Sequence, residues 1–168
     1  MEPESHSRIF AELDAWAGAP AQGLPHEFFV FLSGFTPLVN VDLLIRDPSA
    51  GTLLTWRHDE TYGPGWHVPG GIIRYKETAE LRIRLTAQRE LGADVEFDGE
   101  PIAVEQTIHP KRRERGHFIS LLYCCRLLGA PSQRLHYATG VPEHGQWAWH
   151  RVCPPDLIPE HAHYRRFF

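Results

Sequence analysis

The stretch HVPGGIIRYKETAELRIRLTAQRELG, residues 67–92, narrows the folds open to this chain more than any other. A glycine pair, Gly70–Gly71, follows an apolar approach and lets the backbone come close to another group just before a helix. The spacing predicts that helix over 78–91, and Gly92 stops it in the manner common at helix C-termini. Its negative charge is sparse, since Glu77, Glu80 and Glu90 stand among Arg82, Arg84 and Arg89. A strand, a close-approach loop and a helix in succession are the makings of an α/β domain.

The flanking sequence supplies more strands. TPLVNVDLLIRD (36–47) alternates in part, with Val39, Val41 and Leu43 on one side and Asn40, Asp42 and Leu44 on the other. TLLTWR (52–57), PIAVEQTIH (101–109), HFISLLYCCRLL (117–128) and QWAWHRV (146–152) also read as strands. HDETYGPGW (58–66) reads as a loop, and a second, basic loop follows residue 109. Helices are expected over 7–17, with Ser7 as N-cap, and over 154–168. EFFVFL (27–32) is expected as a strand, so residues 1–34 form an added arm of a helix plus a strand, with a single domain over 35–168. Trp147 and Trp149 read as core or flanking residues, and the HAH at 161–163 is given no metal role, because i, i+2 spacing on a helix separates the side chains.

A chain of 168 residues with 42% hydrophobic composition has room for one core. Its net charge of -4 argues against nucleic-acid binding, which leaves a basic footprint. The odd cysteine count, without CxxC spacing, suggests reduced thiols. MEPESHSRIF is unlike a secretory signal, and no apolar run approaches the roughly 20 residues of a membrane helix, so a cytoplasmic protein is expected.

The register Gly71, five residues, Glu77, twelve residues, Glu90, then Gly92 resembles the Nudix box, G-x5-E-x7-R-E-U-x-E-E-x-G-U. Leu85, Thr86 and Arg89 depart from it, with Ala87 and Ala93 in its aliphatic places. The resemblance implies an α/β/α sandwich around a mixed β-sheet. Ordinary Nudix enzymes cleave a diphosphate with several Mg2+ ions on a glutamate-rich helix, and here Glu90 alone of positions 86, 89 and 90 is acidic. A branch with similar losses, the GDP-mannose mannosyl hydrolases, resembles this chain over most of 36–168, through TPLVNVDLLI, WRHDETYGPGWHVPGG, RLTAQRELG, GHFISLLYCCRL, PEHGQWAW and HAHYRRFF.

That branch implies attack of water at the anomeric carbon of a nucleotide sugar, releasing free sugar and an intact nucleoside diphosphate. The same resemblance implies Mg2+ as the metal, with Mn2+ a second candidate, and a homodimer as the expected assembly. By the resemblance, the Gly70 carbonyl, Glu90 and Glu143 are metal ligands, His144 is the general base and Arg57 contacts the diphosphate. Asp42 and His109 join Arg57 as substrate-binding residues. Read from the residues alone, His144 is an ordinary loop histidine, Arg57 is as well a solvated strand-end arginine, and Asp42 is either a partnered core carboxylate or an acceptor for sugar hydroxyls. Ile72 and Phe118 stand where the resemblance leads one to expect arginine and tyrosine; Arg74 or the basic loop 111–115 are the candidates to compensate, although read from its charges alone 111–115 is a solvated loop. The competing functions are cleavage between phosphates and a catalytically inactive domain that binds nucleotide sugars.

Overall fold

The computed structural model describes residues 3–59 and 62–168. Eight strands follow in chain order: β1 (Leu38–Asp47), β2 (Gly51–Asp59), β3 (Gly63–His67), β4 (Gly70–Ile72), β5 (Val95–Phe97), β6 (Ala103–Ile108), β7 (His117–Leu127) and β8 (Trp147–His150). The helices are α1 (Pro3–Ala17), α2 (His26–Leu32) and α3 (Ala79–Leu91), with a C-terminal 3-10 helix over Pro159–Phe167. β1 is central: it runs parallel to β7 along one side and pairs antiparallel with β4 and the start of β2 on the other. β5 and β6 flank β7, and β3 and β8 flank β2, all antiparallel, so the sheet is mixed.

The sheet is covered on both faces, which explains why β1 is buried almost continuously. Val41, Leu43 and Ile45 pack with Ile83, Ala87 and Leu91, which recur at four-residue spacing on α3. Thr78 caps this helix, its hydroxyl accepting the Leu81 N–H at 3.2 Å. The opposite face joins Leu44 and Leu122 to Trp66, Leu157 and Tyr164. In the 3-10 helix, residues three apart eclipse, so His161, Tyr164 and Phe167 lie on one side of it.

Several expected elements differ. Residues 27–32 belong to the helix α2, not a strand: the short apolar run 28–32 has no period to separate the two, and Pro25 opens the helix with Glu27 in its first turn. Ser7 lies inside α1, which starts at Pro3, and so does not cap it. Much of 58–66 is a hairpin, pairing Thr55 with His67 through Asp59 with Gly63; Glu60 and Thr61 of that loop lie outside the described residues. The C-terminal helix is shorter and 3-10 in kind, and β5 was not foreseen. The arm packs within itself, Trp16 meeting the edge of Phe28 at 4.9 Å, and is tied to the rest where Arg74 donates to the Gln22 carbonyl at 2.5 Å and the Arg115 N–H donates to Ser33 Oγ at 2.9 Å. Among the described residues no helix is long and apolar enough to cross a membrane.

Candidate active site

A cavity of about 650 Å³ opens where the 67–92 stretch meets β1. Asn40 and Asp42 of β1, Arg57 of β2, the Gly70–Gly71 pair, and Arg82, Thr86 and Glu90 of α3 line it, and Leu24 and Phe29 of the arm close one wall. The glycines are demanded by close approach. A Cβ on Gly70 would lie 2.3 Å from Asp42 Oδ1, and one on Gly71 would lie 2.4 Å from Thr86 Oγ1. Thr86, in a place where the box has glutamate, thus packs its hydroxyl under the loop.

Glu90 sits at one end of a single-file hydrogen-bond chain. Its Oε2 contacts Thr55 Oγ1 at 3.0 Å, and Thr55 Oγ1 contacts His67 Nε2 at 3.0 Å. His67 Nδ1 faces the Val68 carbonyl at 2.9 Å, so Nδ1 carries the imidazole proton and Nε2 accepts. One Thr55 proton therefore serves two acceptors. When it goes to His67, Glu90 must be protonated and donate to Thr55; when Glu90 is ionised, Thr55 donates to it and His67 Nε2 faces a lone pair. Burial favours the first arrangement, pushing the Glu90 carboxyl up to about 7 and His67 down to about 3, although hydrogen bonds from Thr55 and the Gly70 N–H pull Glu90 back. A cation beside Glu90 would favour the second.

Asp42 heads a second network on the opposite side of β1. Its Oδ2 accepts from the Tyr164 hydroxyl at 2.5 Å and its Oδ1 from Asn40 Nδ2 at 2.9 Å, and Asn40 Oδ1 accepts from Ser120 Oγ at 2.9 Å. Burial raises the Asp42 carboxyl to about 6 against these stabilising bonds. Asp42 is therefore a partnered core carboxylate that also lines the cavity, so the two readings of it are compatible. Tyr164→Phe is expected to cost about 1.5–3 kcal/mol of stability in urea titrations, the usual range for a hydrogen bond to a charged group. Loss of that donor also shifts Asp42 further upward, which NMR titration of the carboxyl reads directly.

The structure brings Asp42, Arg57, Gly70, Glu90 and His109 onto this one cavity. Glu143 and His144 sit on the exposed loop before β8, outside the lining. That loop nevertheless runs beside β2: the Trp56 N–H donates to Gln146, the Gly145 N–H donates to Trp56, and the His58 N–H donates to His144 Nδ1 at 3.2 Å. With Nδ1 accepting, neutral His144 presents a protonated Nε2 to solvent. Among the described residues no three His, Cys, Asp or Glu side chains group closely enough to hold a metal ion.

Sequence reasoning missed His161. It lines the cavity, its Nδ1 accepts the Val68 N–H at 3.1 Å, and burial holds its pKa well below the ordinary value, so it is a neutral imidazole with its proton on Nε2. The available signal was spacing: His161, Tyr164 and Phe167 recur every third residue, the 3-10 period. Trp147, by contrast, is a core residue, buried, with Nε1 donating to the Ser132 carbonyl at 2.9 Å.

The family model for the NUDIX domain matches residues 36–168. The chain is similar to the low-salt glycan biosynthesis protein Agl8 of Haloferax volcanii, with 35% identity over 82 residues, 49% of this chain and 52% of the relative. It thus spans about half the length of that curated relative. Among solved structures, a MutT NUDIX hydrolase from Burkholderia pseudomallei superposes with a TM-score of 0.60 at 22% identity, covering 79% of this chain and 95% of the other. A structure described as a UDP-X diphosphatase gives a TM-score of 0.57 at 16% identity, covering 97% and 75%. These two likenesses concern the fold.

Proposed function

Because the chain belongs to the Nudix family, we propose that it hydrolyses a nucleotide sugar of the GDP-mannose kind, water attacking the anomeric carbon and the nucleoside diphosphate leaving intact. One observation carries this reading: Glu90 is the one carboxylate that α3 contributes to the cavity lining, with Thr86 a turn earlier and Arg89 beside it. Attack at phosphorus by a metal cluster draws on several carboxylates. Attack at carbon needs a base for water and strong neutralisation of the departing diphosphate. The relative named for glycan biosynthesis agrees with a sugar-bearing substrate.

The donor set fits one hard cation, Mg2+ or Mn2+, better than a cluster. Glu90 and the neighbouring Gly70 carbonyl would hold it, with water and phosphate oxygens completing its shell. When bound, it supplies charge neutralisation for the leaving diphosphate. Arg57 lines the same cavity and would offer a planar donor to phosphate oxygens, while Asp42 and His109, which line it too, are proposed to bind sugar hydroxyls. Glu143 and His144 join the site through a turn of their loop, which must also release the His58 N–H for His144 to accept a proton from water. The working form is proposed to be a cytoplasmic homodimer, testable by light scattering.

Incubation with Mg2+ and GDP-mannose in 18O-labelled water tests the reaction. Label in free mannose with unlabelled GDP is the expected result. Label in GMP or mannose phosphate would establish cleavage between phosphates, and tight binding without any product would establish a sensor. His144→Ala is expected to lower kcat by about 10²- to 10⁴-fold with substrate affinity kept. An unchanged rate removes His144 from the mechanism.

A further inference from the structure

We infer that Arg115 is an oxyanion-binding residue of this cavity, its guanidinium holding either a non-bridging oxygen of the substrate's diphosphate or a carboxylate on its glycosyl part. The inference takes the cavity as the substrate site proposed above, but it concerns a residue that the box and its surroundings do not contain.

The arginines that line the cavity are committed to different degrees. Arg57 pairs with Asp59 at 3.3 Å, and Arg82 is gripped by Glu77. Arg74 donates to the Gln22 carbonyl, and Arg89 is exposed on α3. Arg115 is half-buried, and no acidic side chain among the described residues pairs with it. Its Nε is buried without a hydrogen-bond partner, a cost that a native fold normally avoids unless a ligand or water meets the group.

The backbone at Arg115 is held in an unusual state to keep it there. Its φ is 51°, in the left-handed region that residues other than glycine seldom occupy. Its N–H donates at 2.9 Å to Ser33 Oγ, and Ser33 is itself buried and donates to the Val30 carbonyl at 2.6 Å. The arm therefore anchors the basic loop at this residue. Strain of this kind recurs where side chains are aimed at ligands.

Charge around Tyr62 completes the argument. The guanidiniums of Arg57, Arg112 and Arg115 lie 4.8, 5.2 and 5.4 Å from its ring centroid. Asp59 answers Arg57 and Glu160 answers Arg112, the latter at 3.3 Å. Among the described residues one positive charge beside Tyr62 is left over, Arg115's, in a cavity that Glu90 also lines. An oxyanion seated between Arg57 and Arg115 would neutralise that excess and satisfy the buried Nε. Ile72, which lines the same cavity with an apolar side chain, contributes no such charge.

Calorimetric titration of wild type, Arg115→Gly and Arg115→Lys with Mg2+-pyrophosphate, GDP, GDP-mannose and GDP-mannuronate tests this. Glycine tolerates the left-handed backbone, so Arg115→Gly should fold, and equal melting temperatures confirm it. The expected result is a 10- to 100-fold weaker affinity, on the order of one or two charge-assisted hydrogen bonds, for pyrophosphate and GDP in Arg115→Gly, partly restored in Arg115→Lys. If pyrophosphate and GDP bind equally while Arg115→Gly loses a wild-type preference for GDP-mannuronate over GDP-mannose, the oxyanion is the sugar carboxylate. If Arg115→Gly binds all four ligands as wild type does, or wild type binds none, the inference is overturned. If wild type fails to hydrolyse GDP-mannose yet pyrophosphate affinity depends on Arg115, the substrate reading fails and the oxyanion site stands.

Discussion

Glu90→Gln is expected to lower Mg2+-dependent turnover of GDP-mannose by about 10²- to 10³-fold, since it removes the charge that would hold the metal at the leaving diphosphate. The same substitution should change the protein without metal. Burial lifts the Glu90 carboxyl from 4.5 to about 7, so the folded state holds this proton more tightly than the unfolded chain. Its contribution to stability is complete below the unfolded value and is lost as pH rises through 7. Asp42, lifted to about 6, acts with the same sign and loses its share earlier. For Glu90 the full swing amounts to about 3–4 kcal/mol, at about 1.4 kcal/mol for each pKa unit. Urea midpoints of the metal-free protein should therefore fall between pH 5 and pH 8, and in Glu90→Gln the fall should end near pH 6. An identical slope in both proteins would show that Glu90 does not titrate in this window. Turnover retained in the glutamine protein would remove Glu90 from the metal site.

The loop and helix were legible because backbone chemistry writes them into single residues. Gly70 and Gly71 admit Asp42 and Thr86 at distances no side chain tolerates, Thr78 caps α3, and Ile83, Ala87 and Leu91 mark its buried face. β1 could be read from its apolar run, yet the burial of Asn40 and Asp42 on the far face could not, because their partners, Ser120 and Tyr164, are remote in sequence. Two further failures share a cause. After Glu27, EFFVFL is apolar at every position, and the HAH of 161–163 fits an α-helical or a 3-10 period, so in each the pattern underdetermines the backbone. The correct period turns His161 toward the cavity. In the sequence Arg115 is one of several charges in the basic loop 111–115, and only the fold sets it against Ser33, Tyr62 and the cavity.

Glu77→Ala should produce the largest loss of stability of any change in the box, about 3–5 kcal/mol, because it strands a charge inside the protein. Both side chains of the pair are nearly buried, Glu77 at 6% and Arg82 at 9% exposure. The contact is bidentate, with Arg82 Nε to Oε2 and Nη2 to Oε1 both at 2.8 Å, and the Arg74 N–H adds a third bond to Oε2 at 2.8 Å. Truncation to alanine leaves the Arg82 guanidinium desolvated and unpaired. The exposed Leu85 stands in the arginine place of the box, so the cation that reaches Glu77 comes from position 82 instead. Arg82 also carries the pair into the site, since its Cδ would lie 2.9 Å from a Cβ on Gly71 and its stem supports the glycine loop from below. Loss of the ion pair should therefore loosen the Gly70–Gly71 backbone and depress activity together with stability. A double replacement, Glu77→Leu with Arg82→Met, separates the two effects. Removing both charges should recover most of the stability in urea titrations, as apolar replacement of buried ion pairs generally does. Activity should stay low if the orientation of the loop needs the bidentate grip. Full recovery of both would reduce the pair to a packing role, and a Glu77→Ala protein as stable as wild type would mean that water reaches Arg82 in solution.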